Sequence, residues 1–355
     1  MRGSVRAMLC LAGVIGLCLL VGGAGAWAAA GRPTLAELGR GAEEIVVGSV
    51  VEAFPAWTAD HSLIHTYVTM QVDRAVKGRA ASRYVQFRVP GGAFEEIGLL
   101  VSNMPGFRHG EEAIVLLGRD DDGFLSVHGG RNGKIEINGG FAPGLGLTAD
   151  EVADVLNGTR PERNPAGPGG GCPVTCVGST PTMTWPQPAM GEAYLINPIP
   201  MTGCTSTQWI NAIQASAQTW NGAGAQFTFT YGGTTTATAK GKQPDGRNVI
   251  YVGSASGALA VTTTWYIPAT GQITECDMVV ATASRRLKWS CDAGAVANKY
   301  DVQSVVVHEL GHFLSLDDVY DDGCDALTMY GYGWPGDIAP RSLDQADICG
   351  IRALY

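Results

Sequence analysis

From Cys18 to Cys172 the chain contains no cysteine, which excludes a disulfide framework for nearly half its length. Charge is also scarce, at 16% of residues, and glycine is abundant, with 49. That balance favours strands and loops over long charged surface helices. Beyond the N-terminus no apolar run is long enough to span a bilayer. Histidine is rare: after residue 170 only His308 and His312 occur, and no glutamate follows Glu309. Basic patches are missing as well. The formal net charge is −9, and residues 301–355 carry nine Asp and one Glu against Arg341 and Arg352, leaving −8 there. Such a balance argues against nucleic acid or an anionic membrane as partner and suggests a cation-binding region, with a solvated acidic surface as the plain alternative.

What is present begins with an export signal. Arg2 and Arg6 precede an apolar run, Met8 to Val21, and Ala26-Trp27-Ala28 fits an A-x-A cleavage site. A signal peptide over residues 1–28 is expected, with an uncleaved anchor as the alternative. Leu9 and Leu17 before Cys10 and Cys18 do not make a lipoprotein box. The mature chain is expected to be secreted, extracellular or periplasmic, monomeric and free of the membrane. Seven cysteines then remain: Cys172, Cys176, Cys204, Cys276, Cys291, Cys324 and Cys349. In an exported chain these read as disulfides. Cys276–Cys291 and Cys324–Cys349 are the expected pairs, and the odd number leaves one thiol over.

Residues 158–172 are rich in Gly and Pro without hydrophobic period and read as a linker. Asn157-Gly158-Thr159 before it matches a glycosylation sequon. In residues 29–157, strand-like runs alternate with turns: EIVVGSVVEAF, IHTYVTMQVDRAVKG, YVQFRVPGG, EEAIVLLGR, FLSVHGG and KIEINGG. This rhythm predicts a small all-β barrel or sandwich. Its layout resembles an OB-type barrel and is loosely similar to netrin-like domains, which include tissue inhibitors of metalloproteinases, without their cysteines. Its role is open between pro-domain, binding module and inhibitor-like cap. His61, His65, His109 and His128 read as ordinary surface or turn residues. In residues 173–355, TSTQWINAIQASAQTWNGA has helical spacing, with Thr205 or Ser206 as cap and Gly222 as stop. Strands QFTFTY, NVIYVGS, LAVTTTWYI and CDMVVATA follow, then a helix capped by Asp301 and a last helix packing Ile348, Ile351 and Leu354. The fold class is α+β.

His308-Glu309-Leu310-Gly311-His312 reads H-E-x-x-H. On a helix, residues i and i+4 share a face, so both imidazoles can reach one zinc ion, while Glu309 lies off that face and can reach a metal-bound water. With no later histidine or glutamate, a third ligand must be an aspartate or a free cysteine. Asp318 stands six residues after His312; Asp317 is its rival, then Asp321, Asp322 or Asp325.

These residues resemble the metzincin zinc endopeptidases, and the matrixins most. His308, Glu309, His312 and Asp318 match H-E-x-x-H-x-x-G-x-x-H/D. Leu327-Thr328-Met329-Tyr330 resembles the Met-turn, and Leu343 to Tyr355 resembles the matrixin C-terminal helix. The likeness covers about residues 173–355. It implies a twisted mixed sheet with three helices, one catalytic zinc on His308, His312 and Asp318, and Met329 as an apolar floor. It departs from the pattern at Ser315, where a glycine is usual, and at Asp318, where matrixins have histidine. Calcium on the acidic loop from Asp317 to Asp325 is a further expectation, weighed against a solvated loop.

The resemblance implies hydrolysis of a protein or peptide substrate, with Glu309 as general base. It also implies a substrate lying along a sheet edge at Leu259 to Trp265, touching Ala260, Val261 and Thr262, with Tyr330 and Tyr332 beside a side-chain pocket. A propeptide cysteine latch would fall to Cys172 or Cys176. The alternatives are a secreted binding or adhesion protein with a structural or vestigial metal site, and a zinc amidase acting on cell-wall peptides.

Overall fold

The computed structural model describes residues 32–355 apart from 79–81, 163–170, 240–242, 256, 286 and 322. The signal peptide, most of the linker and Asp322 lie outside the described residues. The architecture is α+β, as the sequence predicts. Among the described residues no helix is long and apolar enough to cross a membrane.

The chain opens with a short helix, α1 (Leu35–Gly41), started by a Thr34/Glu37 capping box. Strands β1 (Glu44–Trp57), β2 (Ile64–Lys77), β3 (Tyr84–Pro90), β4 (Gly92–Phe94), β5 (Ile97–Val101), β6 (Glu112–Arg119), β7 (Leu125–Val127) and β8 (Lys134–Ile137) follow. The short pair β9 (Phe141–Ala142) and β10 (Leu147–Thr148) leads into α2 (Ala149–Leu156), which Thr148 and Glu151 cap in the same way. The sequence reading missed both helices, although each carries a T-x-x-E signal; their few residues show too little period to stand out.

In the first sheet β1 pairs with β2, β2 with β3, β3 with β7, and β7 with β6, which returns to β1; β8 flanks β6. Alternation along β1 and β2 places Val46, Val50, Val68 and Met70 inside, against Phe87 and Val115. His65 is also buried rather than at the surface, on the face of β2 opposite Val68 and Met70: it is 6% exposed, and burial pushes its pKa down to about 4. His61 and His109 are exposed, and His128 is half-buried.

The second part contains β11 (Glu192–Ile196), α3 (Ser206–Asn221), β12 (Phe229–Thr234), β13 (Asn248–Gly253), β14 (Ala260–Ile267) and β15 (Gln272–Ala281). Then come β16 (Trp289–Ser290), β17 (Tyr300–Asp301), α4 (Val302–Phe313) and α5 (Gln345–Leu354). Thr205 and Gln208 form the capping box of α3, and Asp301 caps α4. On α5, Ile351 is buried, whereas Ile348 and Leu354 are half-buried. The second sheet runs β12-β11-β13-β15-β14-β5-β4. Its strands are parallel from β12 to β15, and β14 then runs antiparallel to β15. Helices α3 and α4 pack on it, with Trp209, Trp220, Val306, Leu310 and Phe313 in one core.

Two features depart from expectation. The run at β14 is not a free edge: β5, from before the linker, pairs with it antiparallel. The disulfides also differ, being Cys172–Cys324, Cys176–Cys349 and Cys204–Cys291. Cys276 is the thiol left over, wholly buried on β15 between Thr264 and the end of α4, while Cys291 bonds Cys204. Cys324 and Cys349 instead bind the segment that leaves the linker. Cys172 and Cys176 are thereby consumed, so neither is a latch for a metal.

Candidate metal centre

Helix α4 presents His308 and His312 on one face, their ring centroids 4.8 Å apart. The helix ends at Phe313, and the chain turns away because Ser315 adopts φ 73°. With the Ser315 N–H on the His312 carbonyl and the Leu316 N–H on the Gly311 carbonyl, the end is a Schellman turn. A left-handed serine costs about 1 kcal/mol relative to glycine. Its hydroxyl bonds that of Ser179 at 2.8 Å, which ties the turn to the post-linker segment.

The turn swings Asp318 back over the helix. Its Oδ1 lies 3.1 Å from His308 Nε2 and 3.4 Å from His312 Nε2. Each imidazole is steered from behind: His308 Nδ1 bonds the Thr328 carbonyl and His312 Nδ1 the Leu316 carbonyl, both at 2.8 Å. A ring that donates from Nδ1 keeps the Nε2 lone pair free and aimed inward. Donor atoms of His308, Glu309 and His312 lie within 4.8 Å of one another, and this group can hold a metal ion.

Charge is balanced locally. Burial disfavours the imidazolium of His312, but the Asp318 carboxylate outweighs it and lifts the ring to about 9; His308 is raised in the same way. Burial also disfavours charge on Asp318, yet the two imidazoles hold it well below the usual carboxylate range. Without metal these side chains share protons, which a bound cation would displace.

Glu309 is 5% exposed, and its Oε2 accepts a hydrogen bond from the Thr262 hydroxyl on β14 at 2.7 Å. Met329 is fully buried beneath the helix; a Cβ on Gly311 would lie 2.1 Å from its sulfur, so only glycine lets this floor approach. The buried Asp347 carboxylate accepts the Thr328 and Met329 N–H groups and so holds the turn to α5. Backbone bonds from Val319 to Met329 and from Gly331 to Val319 tie that turn to the segment carrying Asp318.

Asp317 faces away: its Oδ1 accepts the Thr180 N–H at 3.1 Å. Asp321 and Asp325 are exposed, and among the described residues no group of three donors gathers around the acidic loop. The cavity over the site is walled by Ala260 and Val261 on one side and by Tyr330, Tyr332 and Trp334 on the other. Tyr330 stacks on Trp334 with centroids 5.7 Å apart.

Several site residues carried no signal in the sequence. Tyr320 is held unionised by burial first and by the nearby Asp318 second, and its hydroxyl bonds Asn103 at 3.1 Å. Ser102, Asn103 and Met104, more than 150 residues away in the chain, line the same cavity. Comparison with protein-family models and with curated proteins yields no match.

Proposed function

We propose that the chain is a secreted zinc endopeptidase of the metzincin type. The observation carrying this reading is the convergence of His308, His312 and Asp318 on one point with Glu309 beside it. Two imidazole nitrogens and one carboxylate oxygen suit Zn²⁺ and leave a position for water. These three residues would hold the ion, which when bound supplies a Lewis acid and lowers the pKa of a water towards about 7.

The rest is the work of the chain. Glu309, oriented by Thr262, takes a proton from the attacking water and delivers it to the leaving amine. The β14 run at Ala260, Val261 and Thr262, where Ser102 now bonds the Thr262 main chain, would receive an extended peptide once that contact is released, with Tyr330 and Tyr332 shaping the space beside it. Three disulfides suit an oxidising compartment. The cyclic pairing of β1, β2, β3, β7 and β6 supports a small OB-like barrel ahead of the peptidase.

Peptide hydrolysis should vanish with a chelator and return with zinc. Glu309→Gln should retain one zinc per chain while turnover falls by about 10²–10⁴-fold. A Glu309→Gln protein with full turnover would remove the general-base role. The covered edge of β14 favours a second reading, a secreted binding protein with a structural metal; zinc retained with no turnover in any form of the protein would select it.

A further inference from the structure

We propose that the end of the cavity away from the metal group takes a basic side chain, lysine or arginine, of the bound peptide, with Asp337 and Tyr300 as the residues that select it. This rests on the peptidase reading above and adds its substrate class.

The cavity follows α4 back towards its start. Besides His308, Glu309 and His312 it is lined by Ser304 and Val305, and by Tyr300 and Asp301 just ahead of the helix. Ser304 stands four residues before His308, roughly 6 Å along the helix axis. An extended lysine or arginine side chain covers that distance. Leu259 and Trp334 also line the cavity and offer apolar surface, against which the methylenes of a long basic side chain can lie.

The far end holds acceptors. Tyr300 is 2% exposed, and its hydroxyl is buried with no hydrogen-bond partner among the described residues. Burying a polar group without a partner is unfavourable, so a ligand atom that bonds this hydroxyl removes a penalty. The Ser304 hydroxyl donates to Asp301 Oδ2 at 2.8 Å, which leaves its oxygen able to accept. Asp301 is itself neutralised: Arg341 bonds its two oxygens from Nε and Nη2, at 2.8 and 2.6 Å.

Asp337 is different. It lines the same cavity and is half-buried. Its Oδ1 accepts the Ala339 N–H at 2.8 Å, and among the described residues no Lys or Arg pairs with it. The turn that carries it is held next to Tyr300 and Ser304. The Gly336 N–H bonds the Lys299 carbonyl at 2.7 Å, and the Ser304 hydroxyl lies 3.4 Å from the Asp337 carbonyl. One uncompensated carboxylate beside an unpartnered hydroxyl suits a cation that donates hydrogen bonds. An aliphatic side chain would leave the hydroxyl orphaned, and an acidic one would meet like charge. The charge of −8 over residues 301–355 favours the approach of basic peptides in the same sense.

The test uses the full chain, loaded with zinc. Fluorogenic peptides carrying Lys, Arg, norleucine or Glu at each position around the scissile bond are offered to it and to its Asp337→Asn and Tyr300→Phe forms. Asparagine keeps an oxygen for the Ala339 N–H, so the turn is preserved. Binding of n-butylammonium, compared with n-butanol, is followed through the ring resonances of isotope-labelled tyrosine, the Tyr300 signal being the one lost in Tyr300→Phe. This reads the pocket without turnover. At one position Lys or Arg should exceed norleucine by at least about tenfold in kcat/KM, as a charge-assisted bond predicts, with Glu the poorest. Asp337→Asn should erase that ratio, and Tyr300→Phe should reduce it severalfold. Butylammonium should shift the Tyr300 signal, with affinity at least about tenfold weaker in Asp337→Asn. Norleucine preferred throughout, or a ratio unchanged in Asp337→Asn, would overturn the basic pocket and leave the peptidase standing. No hydrolysis of any peptide with zinc bound would overturn the peptidase. The butylammonium titration then decides the pocket, and an unmoved Tyr300 signal or equal affinity in Asp337→Asn would overturn it.

Discussion

Before the linker, the described residues contain no disulfide, and order rests on hydrogen-bonded strands whose pairing runs in a cycle, with two short capped helices alongside. After the linker, three disulfides clamp one large core, and two of them tie residues 172 and 176 to the segments that follow the metal group. The contrast is between a region ordered by strand pairing alone and one in which cross-links flank a group of side chains that could hold a metal ion. A site assembled from a helix, a turn and a loop gains most from cross-links that limit how those pieces separate.

The largest way to break the contrast is to remove the clamps. Cys172 and Cys324 are 152 residues apart, and Cys176 and Cys349 are 173 apart. Loops of that size put each bridge at the upper end of the usual range of about 2–5 kcal/mol. A Cys172→Ser, Cys324→Ser protein should lose that much in the post-linker region while the region before it is unaffected. Calorimetry resolving the two parts checks this, and an equal shift of both would erase the contrast.

Next comes the metal group. Asp318→Ala should weaken zinc binding by at least about 100-fold, since even outer-shell partners cost about 10–100-fold. It should also remove the stabilisation that zinc adds to the post-linker region. Competition with a chromophoric chelator measures the first effect and thermal melts with and without zinc the second. Unchanged affinity would mean that another donor completes the site.

The smallest effect lies in the sheet itself. Asp277 on β15 is 6% exposed beside Glu275, and burial together with that neighbouring carboxylate raises its pKa to about 8. The folded chain therefore keeps a proton that the unfolded chain releases near pH 4. This contribution to stability is complete below about pH 4 and is lost as pH rises through about 8. Asp277→Asn, which keeps an oxygen for the Val249 N–H, should flatten that slope. Melting temperatures across pH 4–9 for both proteins provide the comparison, and identical slopes would exclude this source.

Much of the post-linker region could be read from local chemistry. Helix α3 announced itself by apolar period and by Thr205, and α4 by Asp301 and the H-E-x-x-H spacing. The three side chains now seen together, His308, His312 and Asp318, lie within eleven residues, so helix geometry and one turn suffice to join them. The left-handed Ser315 was legible as a place where glycine would be easier. The disulfides were not, because connectivity depends on which segments pack together: Val177 bonding Ala346 sets Cys176 against Cys349, and nothing near either cysteine says so. Strand β5 was missed because IGLLV is five residues between turns, and its strand character comes from pairing with β14.

By itself the sequence determined the α+β class, the cysteine-free first part, the helix that carries two imidazoles on one face with Glu309 beside it, and an acidic C-terminal part. Those are short-range matters, set by residue type and by the periods of helix and strand. Only the tertiary structure decided which cysteines met, that His65 lies inside, that Thr262 holds Glu309, and that Ser102 and Asn103 reach the cleft. Each of these joins groups far apart in the chain, and such a meeting is chosen by the burial of whole surfaces, which no local pattern encodes.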